Sequence, residues 1–428
     1  MRIGTASKDI TPSAPLELLG QMHVRLGERT RDPLTVNAVV FHDGRRRAAI
    51  ISVDVCILPD ALARRLRLAA ASAAIAADDV VIAATHTHVA PCTTDAIAGR
   101  ADPGFLARLE EAVAASMARA VADLEEVELV AGTGWLEHMG WNRRGLREDG
   151  ACHMYRGSWC KGFVGIEGPR DGGVGVICAR RLDGMVKTVV TSFSTHPNCL
   201  EGEHFYSADI PGEVRRVLRA ALGDDLGVVY LTGAAGNTAP SIMEDNPGDV
   251  QPWRGETGLA RSGQYLGGEI LKVIAAQVRP IGDPVLRLEQ ADVDIPVREW
   301  DAAVDIAEFA GGMRDFFERS RDDWARRMRE ESPTRVRLSV LRVGDAAICC
   351  NPAELYCEFG LAIKERSPAR ATLVAELADG WCGYVPTPQA VRHGGYSAQA
   401  SGVTWLVPEA GWTIVRRTRE LLARAFGG

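Results

Sequence analysis

Two of the nine histidines in this 428-residue chain, His86 and His88, stand one residue apart at the end of an apolar run, "VVIAATHTHVAP" (80–91). On an extended chain, side chains at i and i+2 point to the same side, so this segment offers two imidazoles together. His196 follows a second run of β-branched and apolar residues, "VVTSFSTHP", and Glu354 a third, "AAICCNPAE". Imidazole nitrogens with one carboxylate oxygen make a donor set that suits Zn²⁺. Catalytic zinc keeps one position open for water and lowers its pKa to about 7, which yields a nucleophile for an amide or ester carbonyl. Each residue has a plainer use too. A histidine after a strand is commonly a hydrogen-bonded core or loop group, and spacing alone does not make the strand ends meet.

Two other stretches hold candidate groups. "LTGAAGNTAPS" (231–241) is a Gly-rich loop after a strand; it reads as a backbone N–H cradle for a substrate oxygen or as a tight turn that needs glycine. "GWCGYVPTPQAVRHGGYSAQASG" (380–402) carries Tyr384 and Tyr396, among only seven tyrosines. Tyrosines in such loops commonly pack half-buried with a wet hydroxyl. The ten cysteines include no C-x-x-C pair and many lie in apolar runs, so buried free thiols are expected rather than disulfides or a zinc ribbon.

The elements that must position these groups alternate along the chain. Hairpins are expected around Asp43-Gly44, Asp183-Gly184 and Gly344-Asp345, each joining two β runs. Helices are expected after Pro59, over 103–124, over 211–222 and over 302–332, the last with a break at Gly311-Gly312, and Glu354 is expected to open another. No internal repeat or linker interrupts the pattern. The expected fold class is α/β: one large mixed-sheet domain over residues 1–428 whose strand ends carry the polar residues.

Composition narrows the function. Net charge is −7 with a pI near 5.8, and Lys and Arg are scattered, so no basic nucleic-acid footprint is present. No apolar run approaches the ~18 residues of a membrane span, and "MRIGTASKDITPSAP" lacks a secretion pattern. The expected protein is cytoplasmic, with no stable membrane association and a small-molecule substrate.

Several short blocks, in order, resemble the neutral/alkaline non-lysosomal ceramidase family of zinc-dependent amidases. "GTASKDITPS" is similar to the family's opening G-x-A-x-x-D-I-T, "ATHTHVAP" to A-T-H-T-H-S-G-P, and "WNRRG" to N-x-N-R-S-P. "STHPN" with "SADIPGEV" resembles A-x-H-P-x with S-x-D-x-x-G-Y; "NPAE" stands for P-G-E and "GYVPTP" for G-Y-V-x-T. The resemblance implies the ceramidase N-terminal catalytic fold. It also implies zinc held by His86, His196, Glu354 and Tyr384, with His88 beside it acting on substrate or water. Arg143 would hold substrate, and Tyr396, twelve residues beyond Tyr384, would be a second active-site tyrosine.

The departures lie in "TGAAGNTAPS", which stands where the family has G-D-V-S-P-N: Ala239 replaces the serine and Asn237 the aspartate. Asn237 and Thr238 are expected to contact substrate, with Thr238 or Ser241 supplying a hydroxyl. The family's C-terminal immunoglobulin-like domain and secretion signal are expected to be missing. The expected activity is zinc-dependent hydrolysis of an amide of a small soluble substrate. Hydrolysis of an ester or lactone at the same metal, or metal and ligand binding without turnover, are the alternatives.

Overall fold

A computed structural model describes residues 1–71, 75–155, 157–241, 253–282, 285–300 and 311–427. Its centre is two stacked β-sheets. The larger contains β1 (Arg2–Asp9), β2 (Thr35–His42), β3 (Arg47–Val53), β4 (Val80–Ala84), β5 (Glu125–Trp135), β6 (Gly173–Arg181), β7 (Val186–Phe193) and β8 (Gly227–Thr232). Their order is β8-β7-β6-β5-β1-β2-β3-β4, and the short strand Arg279–Pro280 pairs with β5 as the ninth member. Pairs β7–β8 and β3–β4 are parallel and the rest antiparallel. The smaller sheet runs in chain order: β9 (Leu286–Ile295), β10 (Thr334–Val343), β11 (Ala346–Cys350) and β12 (Ala371–Ala375), with only β11–β12 parallel. All three expected hairpins form, as β2–β3, β6–β7 and β10–β11.

Helices cover both outer faces. α1 (Asp60–Ala71) and α2 (Pro103–Ala122) lie on the large sheet, as does the pair α3 (Asp209–Leu222) and α4 (Gly255–Lys272). Asp102 starts α2, its carboxylate accepting from Phe105 N at 2.6 Å with Pro103 in the first turn. α5 (Gly311–Glu330) follows, then α6 (Cys357–Glu365), the short α7 (Pro388–His393) and α8 (Ala410–Phe426); α6 and α8 cover the small sheet. Between the sheets, Val39, Phe41, Ile50, Val81 and Val190 pack on Leu341, Ile348 and Leu373. Strands of this sandwich are covered on both sides, so β4 reads as an unbroken apolar run.

The large sheet coils until its edges meet. At the end of β8 the Thr232 hydroxyl donates to the Thr85 carbonyl, just past β4, at 2.7 Å. The segment after β12 laces the seam: Glu376 N bonds Thr232 O at 2.9 Å, Ala378 bridges Ala83, and Asp379 N bonds Ile82 O at 2.7 Å. The ends of β4, β7, β8 and β11 thereby converge.

Two expectations change. His86 and His88 lie beyond β4, not on it. Glu354 sits in a two-residue strand paired with Tyr384 and Val385, and the helix begins three residues later at Cys357. The charged helix is described over Gly311–Glu330, and the part of it expected over 302–310 falls outside the described residues. The ten cysteines are free, nine of them buried.

Candidate metal centre

His86 takes a left-handed backbone, φ 68°, which is rare for a residue with a side chain and concentrates at functional sites. Its N–H donates to Val55 O at 3.0 Å, and its Nδ1–H to Cys56 O at 2.8 Å. His196 is held the same way, Nδ1–H to Ala235 O at 2.7 Å. A carbonyl can only accept, so each bond fixes the proton on Nδ1 and leaves Nε2 as a lone-pair donor. The two Nε2 atoms face each other at 3.1 Å. One Glu354 oxygen lies 3.5 Å from the first and 3.7 Å from the second, while the other accepts from Trp381 Nε1 at 3.1 Å. All three side chains are buried.

Two imidazole lone pairs and a carboxylate oxygen pointing at one spot repel unless a positive charge lies among them. Donors on one tetrahedral zinc with bonds of about 2.0–2.1 Å stand about 3.2–3.5 Å apart, close to the separations seen. The titration of the set agrees. Burial alone would raise Glu354, but its bonds to His196 and His86 hold it well below the carboxylate range. Burial, joined by the Arg143 guanidinium, drives His196 well below the usual imidazole value. Burial also opposes charge on His86, yet Cys56 and Glu354 outweigh it and raise that group. His86, His196 and Glu354 could hold a metal ion among them. Cys56, His86 and His88 form a second such grouping that shares His86.

A cavity of about 320 Å³ adjoins the trio, lined by His88, Arg143, Glu201, Tyr155, Tyr384 and Tyr396 among others. The His88 Nε2 is 3.4 Å from that of His86, reached through the left-handed turn at His86 rather than through strand pleating. Burial lowers the His88 pKa to about 4, so it is neutral near pH 7. Arg143, 1% exposed, donates from one Nη to Gly236 O at 2.8 Å and Tyr384 OH at 3.3 Å, and lies 3.1 Å from His196 Nε2. The Tyr384 ring stacks on His196 with centroids 6.4 Å apart and meets Tyr396 edge-on at 6.2 Å. Burial raises both phenols, which stay protonated.

Asn237 and Thr238 do not line the cavity. Asn237 accepts from Cys357 N and donates to Glu358, both at 2.8 Å, which fixes the start of α6. Thr238 donates to Ser194 O at 3.0 Å. Ala239 pairs with Trp141, and Ser241 is buried. Sequence reasoning missed Glu201, whose carboxylate lies 3.6 Å from His88 Nδ1 and pairs with Arg254, and also Tyr155 and Trp381. A carboxylate five residues after His196 and a tryptophan three before Tyr384 were the available signals.

Gly236 threads between the parts. A Cβ there would lie 2.3 Å from the Glu354 carbonyl oxygen, a backbone atom that can yield only by moving the ligand's own segment. If the trio holds a metal ion, Gly236→Ala is expected to weaken its binding by roughly 10–100-fold, as loss of support around a metal does. Chelator competition would check this, and unchanged affinity would mean that Glu354 is not a ligand.

The chain has the mixed α/β fold of the neutral ceramidases. Ninety-nine per cent of it superposes on the crystal structure of neutral ceramidase from Pseudomonas aeruginosa, with TM-score 0.76, 16% identity and 74% of that chain covered. A ceramidase complexed with C2 gives 0.75 at 16% identity, covering 99% of this chain and 75% of the other. No protein-family model and no curated protein matches the sequence.

Proposed function

We propose that this protein is a zinc-dependent hydrolase that adds water across the C–N bond of a small polar amide, releasing a carboxylic acid and an amine. The observation that carries the reading is the convergence of His86, His196 and Glu354 behind a cavity whose near wall is His88, Arg143 and Tyr384. His86, His196 and Glu354 would hold the cation, with the Tyr384 hydroxyl nearby as a further ligand. When bound, zinc supplies a Lewis acid for a carbonyl and lowers the pKa of water to about 7.

The chain's own residues do the rest. Arg143 is a buried, permanently charged group whose donors meet an oxygen that gains negative charge. His88, neutral near pH 7, can donate or accept a hydrogen bond beside the reacting atoms, and Tyr396 bounds the cavity and orients its contents. At about 320 Å³, the cavity lies at the small end of ligand sites, which favours a compact amide over a two-chain lipid such as ceramide.

Metal analysis and a substrate panel test this. Purified protein is expected to contain about one zinc per chain and to hydrolyse short N-acyl amines, with activity lost to chelator and restored by zinc. Protein that stays metal-free when zinc is supplied would sink the proposal. Zinc without turnover of amides, esters or lactones would mark a binding protein, and ester or lactone turnover alone would reassign the bond.

A further inference from the structure

Ala239 removes a hydroxyl from the Gly-rich loop, and the stretch after Arg143 holds one that faces the cavity. Tyr155 sits at φ 58°, a left-handed conformation costly for an aromatic residue, with its N–H bonded to Arg143 O at 2.8 Å. Its ring packs against two guanidinium groups, Arg143 at 5.1 Å and Arg254 at 5.0 Å from the centroid. The hydroxyl oxygen accepts from an Arg143 Nη and from Asn198 Nδ2, the latter at 2.7 Å.

The direction of the Asn198 amide decides what the phenol proton can do. The same Nδ2 also donates to a Glu201 oxygen at 2.9 Å. Turned the other way, the amide would set its carbonyl oxygen against that carboxylate, so Glu201 fixes the NH₂ toward Tyr155. A phenol oxygen has two acceptor sites and one proton. Both acceptor sites are filled, one of them by a cation, so the O–H is left to point elsewhere, and the residue lines the cavity with His88, Arg143 and Tyr384.

We infer that Tyr155 is a catalytic residue that donates its phenol proton in a hydrogen bond to the substrate's carbonyl oxygen as that oxygen gains negative charge. This rests on the hydrolase reading above for its chemistry, but the placement of the donor does not. Donating to Tyr155, Arg143 and Asn198 make its O–H a stronger donor, since hydrogen bonds in a chain polarise one another. The contacts with Arg143, Arg254 and Asn198 offset the cost of the left-handed backbone at Tyr155.

The test uses the full chain, zinc-loaded, with Tyr155→Phe. The variant retains the ring and loses only the hydroxyl. Zinc content is expected to be unchanged. With 4-nitroacetanilide as probe amide, kcat is expected to fall roughly 10²–10³-fold, the usual loss for one such donor, with little change in KM. Calorimetry with methylphosphonate, a tetrahedral anion, is the second readout: the variant is expected to bind it at least tenfold more weakly. Equal kcat and equal phosphonate affinity would overturn the assignment. If the wild type turns over no amide but its phosphonate affinity depends on Tyr155, the donor stands and the hydrolase reading falls alone. If it neither turns over amide nor binds phosphonate, both fall. Should Tyr155→Phe fail to fold, 3-fluorotyrosine at position 155 decides the question: its ¹⁹F resonance is expected to move when methylphosphonate is added, and a stationary signal refutes the contact.

Discussion

His196→Ala is expected to strip the metal from the protein, from about one zinc per chain to less than about a tenth at equal free zinc. A structural zinc site contributes about 10–16 kcal/mol over its ligands. One of four accounts for about 3–4 kcal/mol, or between two and three decades of affinity. The substitution also removes the His196 hydrogen bond to the Ala235 carbonyl, which keeps Thr238 N at 2.9 Å, and so costs about 0.5–1.5 kcal/mol of stability. Metal content by mass spectrometry and a urea midpoint separate the two effects. Exposed His138 is the control, since His138→Ala should change neither. A His196→Ala protein that retains its zinc would mean that the ion sits elsewhere.

The second large effect is expected at Arg215→Met, far from any substrate. Asp54 is wholly buried and accepts from Thr35 N and Thr35 Oγ1 at 2.8 Å, Thr85 Oγ1 at 3.1 Å and Arg215 at 2.5 Å. Without the guanidinium, a carboxylate stays buried and uncompensated, for which about 3–5 kcal/mol is the usual loss. Asp54 adjoins Val55 and Cys56, whose carbonyls hold His86, so zinc affinity should fall as well. The pH dependence has a definite sign. Burial, opposed chiefly by Arg215, raises the Asp54 carboxyl above its ordinary value of 3.8. A raised carboxyl costs stability as pH climbs past the unfolded value, and losing Arg215 raises it further. The deficit against wild type should therefore be smallest in acid and largest at neutral pH, and urea titrations at pH 5 and pH 7 would measure it. Equal deficits at both would mean that Asp54 ionises alike in variant and wild type, so that Arg215 does not set its titration.

Which residues end strands was legible in the sequence, because His86, His196 and Glu354 each interrupt an apolar run. How His86 and His88 come together was not. Hydrophobic pattern reports burial, whereas their meeting depends on one positive φ that periodicity does not encode. The second sheet was hidden for a related reason. A strand such as β4, apolar on both faces, reads the same whether a helix or another sheet covers it. Tyr155 and Glu201 acquire their roles from Arg143, Asn198 and Arg254 through contacts that only the folded chain makes, in stretches without period. The bonds of the Asn237 amide to α6 were not legible either, because the start of that helix was expected three residues too early.

The three candidate metal ligands come from distant parts of the chain and from both sheets: 110 residues separate His86 from His196, and Glu354 follows the last hairpin of the smaller sheet. No short stretch contains the set, so a chain still emerging or half-collapsed offers an ion at most the His86 and His88 pair. Only when the sandwich has closed and the seam between β4 and β8 is laced do the three donors face one spot. Long-range closure of this kind is the slow part of folding. A cation bound by all three would therefore arrive last, as a seal on a finished topology rather than a nucleus for it.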